Sequence, residues 1–176
     1  MIEVSVESIR VSLINQERLV VLRETGSLRY LPIWIGPFEA DAIQMGLQHT
    51  DAGRPLTHDL LRSVIGELGG RVVNVQVSEL RDQTFYAVLA VDLGGRQIEI
   101  DARPSDAIAL AVRLEVPIFV ADDVMDSAGQ MASDDGEEGA ADGSEEPADA
   151  GKDDDLGLFR DFFEGLDLDE RPSQDG

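Results

Sequence analysis

The stretch TFYAVLAVDLGGRQIEIDARPSDAIALAV, residues 84–112, changes its hydrophobic period halfway along, and that change decides the fold. Residues 84–92 are apolar on both parities, which predicts a central strand buried on two sides. Gly94–Gly95 supplies a hairpin turn, and residues 96–102 then alternate through Ile98 and Ile100, the period of a strand with one buried face. From Pro104 onward the spacing becomes helical, with Ile108, Ala111 and Val112 on one side. Strand, tight turn, strand, helix is the grammar of an α+β domain.

The same signals extend the pattern in both directions. Residues 2–14 alternate, first on Ile2, Val4 and Val6, then on Ile9, Val11 and Leu13; the parity change predicts a bulge near Glu7–Ser8. Residues 19–23 and 29–36 read as two more strands around Thr25–Gly26, with Pro32 placing the second at an edge or a bulge. Trp34 and Tyr30, in that strand, read as core or interface rather than as base-stacking platforms. After Gly36–Pro37 a helix is predicted over 37–48, and a second over 57–68, capped by Thr57 and burying Leu60, Leu61, Val64, Ile65 and Leu68. Val73, Val75 and Val77 mark a strand, Ile118–Val120 a short last one, and Asp122 the cap of a short helix running to about Met131. The expectation is a mixed sheet of about six to seven strands with three to four helices, in one domain over residues 1–131.

Charge divides the chain differently. The net charge of -22 is concentrated late: residues 1–123 carry 18 acids against 11 Arg, and residues 124–176 carry 18 against three cations. A domain at -7 lacks the broad positive field of a nonspecific nucleic-acid binder, so phosphate binding requires a local cation cluster. Residues 132–155 have almost nothing to bury and read as a disordered acidic linker, and 167–176 as a disordered tail. Between them LGLFRDFFEGL, residues 156–166, puts Phe159, Phe162, Phe163 and Leu166 on one helical face, a short amphipathic helix suited to a protein partner. With no Cys, no basic-apolar leader at MIEVSVES and no apolar run of about 18 residues, the expected setting is the cytoplasm, without a membrane partner. Homo-oligomerisation is a further expectation.

The three long helices begin alike: Gly36-Pro37-Phe38-Glu39, Arg54-Pro55-Leu56-Thr57-His58-Asp59 and Arg103-Pro104-Ser105-Asp106. One reading is structural, because Pro and acids both favour a helix's first turn. The other is chemical. Glu39, Asp59 and Asp106 could together hold Mg²⁺ or Mn²⁺ through oxygen, and such an ion activates water for phosphodiester cleavage. Arg54, Arg103 and Ser105 would then hold phosphate, and His58 would move a proton beside the catalytic carboxylates. A non-catalytic module, binding an anion or a protein through the same Arg-Pro helix starts, is the competing function.

The segments Tyr30-Leu31-Pro32-Ile33-Trp34-Ile35-Gly36, Arg54-Pro55-Leu56-Thr57-His58-Asp59-Leu60 and Arg103-Pro104-Ser105-Asp106-Ala107-Ile108-Ala109-Leu110-Ala111 resemble, in order and spacing, the bifunctional nuclease domain family. The resemblance runs from about residue 3 to 131, and residues 156–166 look like the Phe-rich helix ending many bacterial members. It implies an α+β domain with a mixed sheet and nuclease activity on DNA and RNA. The residues matching the family segments are Glu39, Arg54, His58, Asp59, Arg103, Ser105 and Asp106.

Overall fold

The computed structural model describes residues 1–12, 17–50 and 52–131. The linker, helix and tail expected over 132–176 lie outside the described residues. Among the described residues the order is β1 (Ile2–Val11), β2 (Arg18–Glu24), β3 (Arg29–Ile35), α1 (Pro37–Leu47), α2 (Thr57–Glu67), β4 (Gly70–Arg81), β5 (Thr84–Leu93), β6 (Arg96–Ala102), α3 (Pro104–Leu114), β7 (Ile118–Val120), α4 (Asp122–Ala128) and β8 (Gln130–Met131). The eight strands form one sheet in the order β6-β5-β4-β7-β1-β2-β3-β8. Every pairing is antiparallel except β4 with β7, so the sheet is mixed as expected, with one strand more than the upper expectation.

The parallel pair needs a crossover, and α3 lies in it. Ala107 to Ala111 are all fully buried, and three alanines among those five residues let the helix sit close to the sheet. Above it crosses α1, where a Cβ on Gly46 would come within 2.6 Å of a Val112 methyl, so the close approach requires glycine there. The core joins Ile43 of α1, this face of α3, Val124 and Met125 of α4, and Val20, Leu22, Leu31, Ile33, Val75 and Val77 of the sheet.

Several local expectations hold for the stated reason. The register of β1 against β2 slips between Val6 and Ser8, where the parity changed. Pro32 faces an open edge, because β8 pairs only with Arg29 and Tyr30. Others need correction. Ala87, Leu89 and Val91 are buried while Val88 and Ala90 are only half-buried, so β5 buries one face rather than two. The last helix stops at Ala128, and Gln130–Met131 form an edge strand instead of its final turn. The caps are Leu56 and Ala121, each one residue before the expected Thr57 and Asp122.

The largest correction is α2. Leu60, Val64 and Leu68 are exposed by 59%, 44% and 75%, and Leu61 is exposed too; of the expected apolar face only Ile65 packs against the core. The amphipathic pattern is real, but α3 already covers the middle of the sheet. What fastens α2 to α3 includes two polar pairs, His58–Asp106 and Asp59–Arg113.

Candidate active site at the start of helix α3

Glu39, Asp59 and Asp106 each occupy the third position of their helix, counting from Pro37, Thr57 and Pro104. That position points a carboxylate back at the first turn, where peptide N–H groups lack partners. Asp59 does what the position favours: Oδ2 accepts from the Leu56 N–H at 2.9 Å, half of a capping box that the Leu56 side chain cannot complete. Its other oxygen accepts from Arg113 Nε at 3.0 Å, and the Arg113 side chain is only 6% exposed. The Leu56 hydrogen bond is the main cause holding Asp59 below the usual carboxylate range; Arg113 adds to it, and partial burial opposes.

Glu39 and Asp106 turn instead toward Arg103. Arg103 Nε donates to Asp106 Oδ2 at 2.7 Å, and Nη2 lies 2.9 Å from Glu39 Oε1. A Cβ on Gly36 would fall 2.2 Å from Glu39 Oε2, so glycine before Pro37 leaves room for this carboxylate. Asp106 Oδ1 lies 3.2 Å from His58 Nε2. Burial is the largest single influence on Asp106 and pushes it up, but the Arg103 and His58 hydrogen bonds with their charges outweigh it and hold the group low. An ionised Asp106 only accepts, so Nε2 is the nitrogen that donates to it. Nδ1 has no hydrogen bond among the described residues and is not sealed from solvent.

The three helix starts therefore meet, in a hydrogen-bonded chain Glu39–Arg103–Asp106–His58. Asp59 stands outside that chain, held by its own cap and by Arg113. The residue set fits the three-carboxylate metal site poorly: among the described residues no group of three or more His, Asp or Glu side chains is placed to hold an ion. Arg54 is exposed and pairs with no described acid. Ser105 is buried except where it lines a cleft of about 290 Å³ beside Arg103, and its hydroxyl makes no hydrogen bond with a described residue. Trp34, expected in a core or an interface, is 44% exposed and lines the same cleft. Its neighbour across the strands is Leu19, which is buried, so the indole covers the outer face of the sheet rather than entering the main core.

Two residues escaped the sequence reading. Arg113 was visible only as a cation in an otherwise apolar stretch. Gln83 sits in a turn with no glycine to mark it, yet Asp82 and Gln83 both take left-handed backbone conformations, at φ 48° and 60°. Among the described residues no helix is long and apolar enough to cross a membrane.

The family model for the bifunctional nuclease domain matches residues 20–133. An uncharacterized protein of Mycobacterium tuberculosis strain H37Rv is 39% identical over 168 residues, 96% of each chain. Bifunctional nuclease 2 of Oryza sativa subsp. japonica is 30% identical over 108 residues, 60% of this chain but 33% of the plant protein. Bifunctional nuclease 1 of Arabidopsis thaliana is 28% identical over 105 residues, 58% of this chain and 32% of its own.

Proposed function

The chain belongs to the bifunctional nuclease domain family, and from that membership and the site geometry we propose that it hydrolyses phosphodiester bonds of DNA and RNA at the start of α3. The observation carrying the reading is the chain Glu39–Arg103–Asp106–His58, which joins a candidate base to a candidate phosphate ligand. Asp106 fixes the His58 tautomer, leaving Nδ1 to take a proton from an attacking water. The water oxygen adds to phosphorus in line with the departing ribose or deoxyribose oxygen, the phosphorus–oxygen bond to that group breaks, the departing oxygen takes a proton from solvent, and His58 gives its proton back to solvent.

Arg103 supports the phosphate role through its donors. A guanidinium has five N–H groups, and two are engaged by Asp106 and Glu39, leaving three for phosphate oxygens. Its side chain is 66% exposed and so within reach of a strand in solvent. Glu39 and Asp106 prevent Arg103 from turning away. Ser105 lies one residue before Asp106 and lines the cleft. Asp59 is assigned here to holding α2 in place and not to chemistry.

The test is cleavage of end-labelled DNA and RNA by protein purified in parallel with a His58→Ala variant, with Mg²⁺, with Mn²⁺ and with chelator. Cleavage that His58→Ala abolishes supports the proposal, and the cation arms report whether a divalent ion is needed. Equal cleavage by both proteins identifies a contaminant and defeats it. Binding of nucleic acid without cleavage in any arm would establish the non-catalytic module instead.

A further inference from the structure

Helix α2 carries an apolar row that the domain does not bury. Leu60, Val64 and Leu68 follow one another at intervals of four residues, 59%, 44% and 75% exposed, and Leu61 beside them is 38% exposed. Side chains at that interval form one ridge of a helix, the kind that packs into the groove of another helix. Of the apolar face only Ile65 packs against the core. The outer side of α2 is therefore aliphatic, while its inner side is fastened in part by the polar pairs His58–Asp106 and Asp59–Arg113. A continuous aliphatic row left in water is a docking surface by composition.

Cations border the row. Arg54 precedes the helix and Arg62 lies within it; both are exposed, and neither pairs with an acid among the described residues. In a domain at -7, two such arginines beside an apolar ridge select an occupant that is apolar on one side and acidic at its margins. The chain holds such a segment. Phe159, Phe162, Phe163 and Leu166 recur at helical spacing, and residues 156–170 carry five acids against Arg160 alone.

The connecting length suits the same chain. Ile65 of α2 meets Gly70 at the start of β4, and β4 is five strands from β8, which ends the domain at Met131. Five strand spacings are about 24 Å. Residues 132–155, whose composition reads as a linker, give a root-mean-square span of roughly 27 Å. A span that matches the distance gives the tethered segment its highest effective concentration.

We propose that residues 156–166 dock on the outer side of α2 of their own chain, laying Phe159, Phe162, Phe163 and Leu166 over Leu60, Val64 and Leu68. His58 stands in the first turn of α2, so docking would press that turn toward α3 from outside. This docking is independent of what the site at α3 does.

Methyl NMR of the full chain tests it, comparing wild type with the triple variant Phe159→Ser, Phe162→Ser, Phe163→Ser, whose substitutions lie outside residues 1–131. The expected result is that the methyl resonances of Leu60, Leu61, Val64 and Leu68 differ between the two proteins, by the same amount at every protein concentration, while those of the core residues Val75 and Leu110 coincide. A synthetic peptide of residues 156–170, added to the triple variant, should return the α2 resonances toward their wild-type positions saturably. Adding Leu60→Gln and Leu68→Gln to the triple variant should weaken that peptide roughly tenfold, and both positions are exposed, so folding is spared. Coincident α2 resonances in wild type and triple variant overturn the proposal, as does a peptide without saturable effect. Differences that grow with protein concentration would place the segment on a second copy and overturn docking within one chain.

Discussion

The starts of α2 and α3 are written almost alike and built for different purposes. Both carry Arg-Pro and both place an aspartate at the third helical position. In α3 the arginine is the residue just before the helix, three positions from Asp106, and the two side chains meet at 2.7 Å. In α2 the arginine lies five positions before Asp59, too early to share its turn, and Arg54 stays in solvent. Asp59 then caps its own helix and binds Arg113, while Asp106 is left to face His58 and Arg103. The two extra residues, Pro55 and Leu56, lie between Arg54 and the helix; they take the arginine out of the first turn of α2, while His58, at the second helical position, meets Asp106. The comparison teaches that an acid at a helix start pairs with the arginine preceding it only when that arginine adjoins the first turn.

The largest expected effect that would sharpen this comparison is on stability. Arg113 is nearly buried, and removing Asp59 leaves its charge without a partner. Asp59→Ala should lower unfolding stability by about 3 kcal/mol, measured by urea denaturation. A loss below about 0.5 kcal/mol would mean that Asp59 is not the anchor described. The pH dependence has a definite sign. Because the folded value of Asp59 is lowered, its contribution is complete above the ordinary carboxylate value of 3.8 and disappears as the pH falls through the folded value. The stability gap between wild type and Asp59→Asn should therefore close in acid and stay constant above neutrality.

The next effect is on chemistry. His58→Gln, which retains much of the side chain's polarity, should cut cleavage by roughly a hundredfold. Gly36→Ala tests the other end of the chain, since the added methyl collides with Glu39 Oε2. Displacing Glu39 frees Arg103, and cleavage should fall about tenfold with melting little changed, an estimate from the cost of mispositioned catalytic groups. The smallest effect belongs to Arg54→Ala. An exposed arginine with no described acid partner should change stability by less than about 0.5 kcal/mol and KM by no more than about threefold. A large loss there would show that the two helix starts do act alike.

Much of the fold was legible because local patterns and long-range packing agree. The parity change at Val6–Ser8, the Gly94–Gly95 turn and the alanine-rich run after Pro104 each predict what forms. The apolar stripe on α2 misled for a physical reason: periodicity reports that a face is apolar, not that a surface remains to cover it. Leu60 and Leu68 are exposed although their spacing is that of a buried face. At the site, the residues at the three helix starts were legible individually, and His58, Glu39, Arg103 and Asp106 do come together. That Asp59 would bind Arg113 was not legible, because the two lie 54 positions apart. For Trp34 the expectation was core or interface, since a strand pattern names its two faces without saying which is covered.

The central claim is the division of labour between the two aspartates, and one paired measurement tests it. Asp59→Asn and Asp106→Asn are isosteric and differ only in which acid is neutralised. Cleavage per folded molecule and the urea midpoint are measured for both. The account predicts that Asp106→Asn loses at least about a hundredfold in cleavage and keeps most of its midpoint, while Asp59→Asn loses midpoint and keeps its cleavage within about threefold. Equal loss of cleavage in both variants, with both folded, would contradict it and return Asp59 to the chemistry of the site.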